Sequence, residues 1–449
     1  METTASNNEL RVRVDHKQIL SIALPITLAI LIPQLNLLVN SIFLGHLSSE
    51  ALGNAGITGV FYLCFAVAGH GLNSAVQSVC SRYAGSNQPD FFKVVLAQGI
   101  RFAFLLATVF IAFTWLIAPS ILAAVAEPTA LPQEMSFLRI RILGLPFLYL
   151  FQLGNAILIA TLNSRLLIIG FVFEAVFNVL FDYLLIFGHY GFPAMGFEGA
   201  ALASVIAEAV GMIVVFLVLF FSGLQKKYDL LSTFRFNKPV NAEVMRVSIP
   251  LILQFLISLS TWLIFYLLIE SKGPMAKAVS NTMRNVFGLA GVFIWAFAGT
   301  SNTIVSNLIG QGKQRLVLLA VRKISAWSFG LCLLIVLFLN ITPQSFFQLF
   351  GQGNDFTTTG IPVIRMVSVG MLLMSVSNIW LNAVTGTGKT RINLAIEIVA
   401  IGLYLMYTYY FMKINYISLA MAWSNELVYW STILVFALWF MLSGKWKNR

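Results

Sequence analysis

Twelve long apolar stretches dominate this chain of 449 residues. A helix that crosses a membrane needs about 20 mostly apolar residues, and each stretch reaches that length. Only helices and closed barrels satisfy every backbone polar group in lipid, and these stretches are continuously apolar instead of alternating. The sequence therefore predicts an all-α polytopic membrane protein. The expected spans lie near residues 18–43, 53–82, 92–117, 136–161, 164–187, 197–222, 243–269, 276–308, 316–341, 358–386, 390–411 and 416–443.

An internal repeat divides the chain into two halves. At an offset of 225 to 226 residues, Pro25 aligns with Pro250 and Gly144 aligns with Gly370. Six spans are repeated, and because six is even, both copies have the same orientation in the membrane. We therefore expect two six-helix lobes related by a pseudo-twofold axis along the membrane normal. The predicted organisation is an N-terminal lobe at 1–222, a cytoplasmic linker at 223–242 and a C-terminal lobe at 243–449.

Charged residues are scarce, and their distribution indicates an orientation. They make up 10% of the chain, whereas a soluble domain has roughly 25%. Lysine and arginine gather at the two termini and in the even-numbered connections, which the positive-inside rule assigns to the cytoplasm. We therefore expect both termini to be cytoplasmic. The net charge of +11 is spread over these connections and forms no single patch, so nucleic-acid binding is not predicted.

The stretch Ala383–Thr390, AVTGTGKT, differs by one residue from the phosphate-binding loop G-x-x-x-x-G-K-[ST], because Ala383 replaces the first glycine. Such a loop works between a strand and a helix, where free backbone N–H groups converge on the phosphates. Here the stretch follows an apolar span, and its repeat counterpart IATLNSR has neither glycine nor lysine. The sequence predicts a short cytoplasmic turn, with no nucleotide and no cofactor apart from a coupling ion. The three cysteines lie singly within apolar stretches and predict no metal framework.

Three stretches carry a family resemblance that covers nearly the full length. They are ALPITLAILIPQLNLLVNSIFLGHL in the first span, LGLPFLYLFQLGNAILIATLNSR in the fourth, and NVLFDYLLIFGHYGFPAMGFEGAALASVIAE across the fifth and sixth. With them the chain resembles the multidrug and toxic compound extrusion (MATE) family of the MOP flippase superfamily. The resemblance implies two six-helix lobes in a V and export of organic cations against an inward flow of H⁺ or Na⁺.

Acidic residues inside a membrane span are functional candidates, because burying each one costs about 2.5 to 3.5 kcal/mol on insertion scales. Glu174, Asn178 and Asp182 are spaced four residues apart, which places them along one face of the fifth span. Such a stripe can hold Na⁺ through oxygen ligands or share a proton. We predict that ion or proton coupling resides at these residues; Asp182 matches the acidic position of the family.

The first span offers further polar candidates beside two prolines. Gln34 and Asn36 are predicted to face a substrate cavity, and Asn40 is predicted to join the coupling group of Asp182. Many members of the family that the chain resembles carry an aspartate at the place of Asn40, and some carry a glutamate at the place of Ser258. These departures indicate coupling in the N-terminal lobe.

The C-terminal lobe provides a second, smaller set of candidates. Glu397 lies deep in the eleventh span, and Trp262 and Tyr266 offer aromatic faces to a lipophilic cation. We predict that these three line the substrate cavity. Other charged residues within spans are expected to pack, gate or brace a lobe: Glu208, Glu426, Arg139 and Arg365.

Taken together, these patterns predict a secondary antiporter of the bacterial inner membrane that exports organic, often cationic and amphipathic compounds in exchange for H⁺ or Na⁺. An alternative on the same fold is a flippase or exporter of a lipid-linked saccharide or another amphiphilic metabolite. A membrane enzyme is not predicted, because no catalytic constellation is present in the sequence. We expect a monomer whose partners are a small-molecule substrate and membrane lipid, with no nucleic acid.

Overall fold

The computed structural model describes residues 9–123, 129–270, 272–348, 353–411 and 418–447, and these are helical without any strand. Twelve helical spans have the length and apolar composition to cross a membrane, which confirms the predicted fold class. We number them 1 to 12: His16–Leu47, Asn54–Gly85, Phe91–Leu116, Leu131–Ala160, Ser164–Phe187, Phe197–Phe221, Lys238–Ile269, Pro274–Gly310, Gln314–Ile341, Asn354–Gly386, Thr390–Tyr409 and Leu419–Leu442.

Several spans contain features that hydropathy did not show. Span 4 is interrupted by the 3-10 turn Ile142–Gly144, which ends two residues before Pro146, a residue without the N–H that would continue the hydrogen-bond ladder. Span 12 consists of Leu419–Ala422 and Asn425–Leu442. Three short helices lie outside the spans: Ala118–Leu122, Leu224–Tyr228 and Pro343–Gln348.

The stretch that resembles a phosphate loop joins two helices. Span 10 continues through Gly386, a turn follows, and span 11 begins at Thr390. Residues Ala383–Gly386 therefore have their backbone N–H groups inside a helix, and the element that precedes them is helical. The geometry is that of the predicted turn between two spans and lacks the strand that a phosphate loop requires.

Two compact units make up the described chain. The first, unit N, comprises residues 24–252, and the second, unit C, comprises residues 1–23 and 253–449. The first helix of each predicted lobe therefore starts in one unit and ends in the other: span 1 passes from unit C to unit N, and span 7 passes from unit N to unit C. The lobe boundaries at 222 and 243 stay a prediction from the repeat.

Unit N is organised around close pairs of helices. Spans 5 and 6 pack most extensively, and span 4 packs against spans 2 and 6. Gly199 permits the first of these contacts, because a Cβ at this position would lie 2.6 Å from the Leu185 carbonyl oxygen. An apolar cluster that includes Phe137, Ile186 and Phe197 fills the same end of the unit. This packing fixes span 5, which carries the predicted acidic stripe.

Unit C has a larger apolar core. Span 10 lies at its centre and packs against spans 8, 9 and 12. Fully buried side chains from four spans meet there, among them Phe265, Met283, Met371 and Trp423. Trp423 lies between the two helices of span 12 and donates a hydrogen bond from Nε1 to Ser280 Oγ at 3.1 Å.

The segment before span 1 docks on unit C along its own backbone; we call Leu10–His16 the N-terminal strap. Asn307 makes the central contact, since its Oδ1 accepts from the Val12 N–H at 3.1 Å and its Nδ2 donates to the Leu10 carbonyl at 2.8 Å. Lys323 donates to the Val14 carbonyl at 2.9 Å. These bonds hold residues that hydropathy assigned only to a polar terminus.

The linker before span 7 makes an analogous contact within unit N. Gln98 of span 3 donates to the Arg235 carbonyl at 3.0 Å, and Arg101 donates to the Phe234 carbonyl. Gln98 and Lys323 are separated by the repeat offset of 225 residues. Each half of the chain is therefore preceded by a segment that is held through its backbone carbonyls by the third span of a repeat.

Candidate functional site

Asp182 is the most completely buried of the predicted acidic residues in unit N. Its side chain has no exposed surface, and neither carboxylate oxygen has a hydrogen-bond partner among the described residues. An ionised carboxylate without a partner costs far more to bury than a neutral or cation-bound one. The position therefore favours a carboxyl group that holds a proton or a cation.

Span 1 joins span 5 through a pair of amides. Asn36 Nδ2 donates to Asn178 Oδ1 at 2.8 Å, and Asn178 Nδ2 lies 3.4 Å from Ser204 Oγ of span 6. Asn178 is 3% exposed, so this joint is buried. The structure therefore brings together two residues that were assigned from sequence to different roles, the cavity residue Asn36 and the coupling residue Asn178.

At this joint and one turn beyond it, acceptor oxygens on spans 1 and 5 lack donors. Spans 1 and 5 are both odd-numbered and cross in the same sense, and Asn40 and Asp182 each lie four residues, or about 6 Å of helix, past Asn36 and Asn178. The Oδ1 atoms of Asn36 and Asn40 and both Asp182 oxygens are buried without hydrogen-bond partners in the described chain. Oxygens of this kind are the ligands that Na⁺ uses, and a proton on Asp182 would convert it into a donor.

Glu174 occupies the other end of the stripe, beside a buried ion pair. It is half-buried, and its Cβ faces Gly211 of span 6, at 3.2 Å from where a Cβ on that glycine would lie. Glu208 lies one turn earlier on span 6 and pairs with Arg141, with Nη2 to Oε1 at 2.6 Å and Nη1 to Oε2 at 2.8 Å. Glu174, at the end of the stripe, therefore lies near the Glu208 carboxylate, whose charge is already neutralised by Arg141.

The Arg141–Glu208 pair has two supporting contacts. Tyr62 donates its hydroxyl to Glu208 Oε1 at 2.9 Å, and the Arg141 guanidinium carbon lies 3.7 Å from the centre of the Tyr62 ring. Gly144 leaves room for the carboxylate, because a Cβ there would lie 2.1 Å from Glu208 Oε2. Bidentate geometry and low exposure, 14% for Arg141 and 5% for Glu208, make this a strongly held pair.

Glu397 anchors a separate polar network in unit C. Its oxygens accept from the Tyr429 hydroxyl and, at 3.3 Å, from Gln254 Nε2 of span 7. Asn393 donates to Gln254 Oε1 at 3.0 Å, and Ser258 Oγ lies 3.2 Å from the Tyr429 hydroxyl. A carboxyl group from span 11 therefore lies in the neighbourhood of Ser258.

The remaining predicted residues are more dispersed. Gln34 is exposed, and the half-buried Trp262 packs edge-to-face on Tyr266 with ring centres 4.5 Å apart. The Tyr266 hydroxyl donates to the Ser280 carbonyl at 3.2 Å. Arg139 is exposed and lies over the Trp115 ring at 5.3 Å, in the bracing position expected for it. These contacts leave the predicted substrate-cavity roles of Gln34, Trp262 and Tyr266 untested.

Sequence reasoning missed the residues that complete these clusters. Arg141 was overlooked in favour of Arg139 two positions earlier, although a second arginine within an apolar span was itself a signal of a buried partner. Tyr62 and Tyr429 gave no signal, because a tyrosine in a span is ordinary core or interface material. Only the fold shows that their hydroxyls reach Glu208 and Glu397.

Comparison with known proteins agrees with this architecture. The MatE family model matches residues 25–184 and 250–410, one segment in each predicted half. The chain belongs to this family of MATE transporters. It is 24% identical over 286 residues to the probable multidrug resistance protein NorM of Thermotoga maritima, which covers 61% of this chain and 58% of that protein. The alignment thus spans less than two thirds of that relative.

Other relatives of this MATE transporter align over more of their length. The probable multidrug resistance protein NorM of Synechocystis sp. is 21% identical over 399 residues, which is 86% of each chain. The crystal structure of a MATE protein in the straight conformation superposes with a TM-score of 0.86 at 19% identity, covering 99% of this chain and 98% of that one. An outward-facing multidrug resistance MATE family transporter of the MOP superfamily gives 0.87 at 17% identity over 100% of both chains. At such identities the structural likeness establishes the fold alone.

Proposed function

We propose that this MATE transporter is a cation-coupled antiporter that exports amphipathic organic compounds, often cations, in exchange for H⁺ or Na⁺. The NorM relatives are named for multidrug resistance, which supports an organic cargo. The observation that carries the proposal is the buried group of unpartnered oxygens on spans 1 and 5, from Asn36, Asn40 and Asp182. A transporter of this kind would lie in the bacterial inner membrane with cytoplasmic termini, as the charge distribution indicates.

Coupling follows from how the ion changes the joint between spans 1 and 5. With Asp182 ionised and alone, burial of the acceptor group is unfavourable; with a proton or Na⁺ bound, Asp182 and Asn40 gain a donor or a shared ligand. The ion therefore binds the conformation with span 1 closed on span 5 better than one with the joint open. A ligand shifts a conformational equilibrium by its differential affinity, so the ion gradient biases the transport cycle.

Span 1 is suited to respond to this binding. Pro25 and Pro33 lie inside its helix, and each removes one backbone hydrogen bond of the ladder. Bending at a proline costs less than bending an intact helix. The hydrogen bond from Asn36 to Asn178 would then make or break as the ion arrives or leaves. Glu174, half-buried one turn from Asn178, is proposed as the second carboxylate of the stripe.

The competing cargo, a lipid-linked saccharide, receives less support. Its pyrophosphate would need cationic side chains inside a span, and two little-exposed arginines of unit N, Arg141 and Arg82, are already paired with Glu208 and Glu243. The buried carboxyl groups of unit N whose oxygens lack hydrogen-bond partners among the described residues are Asp182 and Glu134. An acidic stripe suits a cationic cargo and a cationic coupling ion.

Transport in proteoliposomes tests the proposal. Efflux of a fluorescent organic cation is measured under a pH gradient and, separately, under a Na⁺ gradient. Asp182→Asn should reduce gradient-driven efflux to the level of protein-free liposomes, whereas Asp355→Asn, an exposed acid at the start of span 10, should transport like wild type. Undiminished efflux by a correctly inserted Asp182→Asn protein would refute the coupling site, and the gradient that drives wild type identifies the ion.

A further inference from the structure

In each half of the chain a glutamate packs against a repeat-related glycine, through its carboxylate in unit N and through its Cβ in unit C; we call each contact a glutamate seat. In unit N, Gly144 makes room for Glu208, which is neutralised by Arg141 and bonded by Tyr62. In unit C, the repeat-related glycine Gly370 packs against Glu426, with the Glu426 Cβ 3.3 Å from where a Cβ on Gly370 would lie. Glycines at corresponding places in spans 4 and 10 therefore each receive a glutamate, one from span 6 and the other from span 12.

The partners of the first seat are missing from the second. By the repeat offset, Tyr62 corresponds to Phe287 and Arg141 corresponds to Val367, so both the hydroxyl donor and the cation are replaced by apolar side chains. Phe287 lies at the seat itself, because its Cζ is 3.7 Å from the point that a Cβ on Gly370 would occupy, and Val367 is fully buried. The positions that supply the hydroxyl donor and the counter-ion to Glu208 therefore supply neither to Glu426.

Glu426 is nonetheless buried and nearly unpartnered. It is 5% exposed, its Oε2 accepts one hydrogen bond from Trp430 Nε1 at 3.0 Å, and it forms no ion pair with any described lysine, arginine or histidine. It lies in the first turn of the helix Asn425–Leu442, whose dipole supplies about half a positive charge. This leaves a buried carboxyl group short of one positive charge, which Arg141 provides to Glu208.

The groups around Glu426 are tyrosines from three spans, and one of them, Tyr429, also donates to the second carboxyl group of unit C, Glu397. Tyr266 of span 7, Tyr404 of span 11 and Tyr429 of span 12 lie within electrostatic range of the carboxyl group. The Tyr404 hydroxyl lies against the Asn425 side chain, and both residues are buried. Arg284 of span 8 is exposed and lies over the Tyr266 ring at 5.9 Å.

We propose that Glu426 binds an exchangeable monovalent cation, either a proton or Na⁺. This cation would take the place in unit C that the Arg141 guanidinium takes beside Glu208 in unit N. Glu426 and the buried oxygens of Tyr404 and Asn425 are of the hard type that Na⁺ takes as ligands, and a single proton on the carboxyl group neutralises it equally well. Its role in transport rests on the cation coupling proposed above; its binding of the cation does not. Unit C thereby carries a cation site that is separate from the Asp182 group of unit N.

Infrared spectroscopy of the purified full-length protein in Na⁺-free buffer at neutral pH tests the site directly, because a protonated buried carboxyl group has its own C=O stretching band. Glu426→Gln should lose one such band relative to wild type. The matched variant Glu208→Gln should lose none, because Glu208 is ionised beside Arg141. Loss of the Glu426 band when Na⁺ is added to wild type identifies Na⁺ as an occupant, and a band that persists identifies a proton site.

Two further variants keep the test decisive. Trp430→Phe removes the indole N–H that donates to Glu426 and should shift the same band without abolishing it. Arg141→Met should create an additional protonated-carboxyl band, because Glu208 then resembles Glu426. The proposal is overturned if neither Glu426→Gln nor Trp430→Phe alters any carboxyl band. Asp182→Asn should leave the Glu426 band in place, so failure of the coupling site in unit N and failure of this site give different spectra.

Discussion

Substitution of Arg141 should show how much the buried ion pair stabilises unit N. In Arg141→Met the Glu208 carboxylate loses two hydrogen bonds, of 2.6 and 2.8 Å, and its counter-ion while it stays 5% exposed. Breaking a buried pair by deleting one partner costs about 3–5 kcal/mol. This corresponds to a change of roughly 150- to 5,000-fold in the unfolding equilibrium constant. The loss should be smallest at acidic pH, because Glu208 can then take up a proton in place of the guanidinium.

The matched double variant separates the charge from the packing. In Arg141→Met/Glu208→Gln no charge remains at this pair, and the substituted amide would still accept the Tyr62 hydrogen bond, so stability should return to within about 1–2 kcal/mol of wild type. Unfolding is followed by circular dichroism as SDS is titrated into mixed micelles at neutral and at acidic pH. A coupling free energy below about 0.5 kcal/mol in the double-mutant cycle would show that the two side chains act independently, and the reasoning would fail.

Three further outcomes follow from contacts described above. Gly144→Ala should destabilise the protein by about 1–3 kcal/mol in the same SDS titration, because the added Cβ would lie 2.1 Å from Glu208 Oε2. The control Gly330→Ala places its Cβ where no atom lies within 4 Å, so it should be neutral or stabilising by at most about 1 kcal/mol. Asn307→Ala should release the N-terminal strap and speed tryptic cleavage at Arg11 and Arg13, which mass spectrometry detects. Asn382→Ala, whose side-chain hydrogen bonds stay within its own helix, should leave the cleavage rate unchanged. Equal cleavage rates for the two variants would contradict this account. The Ser232 side chain and the Lys93 ammonium lower the pKa of Asp229, so the stabilising contact of the linker is present at neutral pH and is lost as the pH falls through that lowered pKa. The difference in thermal stability between wild type and Asp229→Asn should therefore close on acidification, and a constant difference would exclude this cause.

The arrangement of spans was predictable because lipid permits few solutions. A continuous apolar stretch of sufficient length can hide its backbone only as a helix, so composition alone placed all twelve spans. Errors fell where polar residues extend a helix beyond the apolar stretch, as at Lys238, where span 7 begins five residues before the predicted start. The break in span 4 at Ile142–Gly144 was also not predicted, because it depends on a local hydrogen-bond pattern and not on hydropathy.

The candidate site was predictable only in part. The spacing of Glu174, Asn178 and Asp182 placed them on one helix face, because helical periodicity is a local property of the sequence. Which side chains meet that face from other helices is decided by tertiary packing, and residues such as Arg141 and Tyr62 lie 67 and 146 positions from Glu208. The contrast between Glu208 and Glu426 needed both the repeat and the fold, since each glutamate looks alike in its own apolar segment.

The crossing of spans 1 and 7 between the two compact units bears on how the chain is built. Residues 1–23 complete the unit formed by residues 253–449, while the start of span 7 completes the other. A protein severed in the linker would yield two pieces, each lacking the opening stretch of polypeptide that its own bundle requires. Co-expression of the two pieces should therefore be needed to restore both bundles, since each piece carries the stretch that the other one lacks.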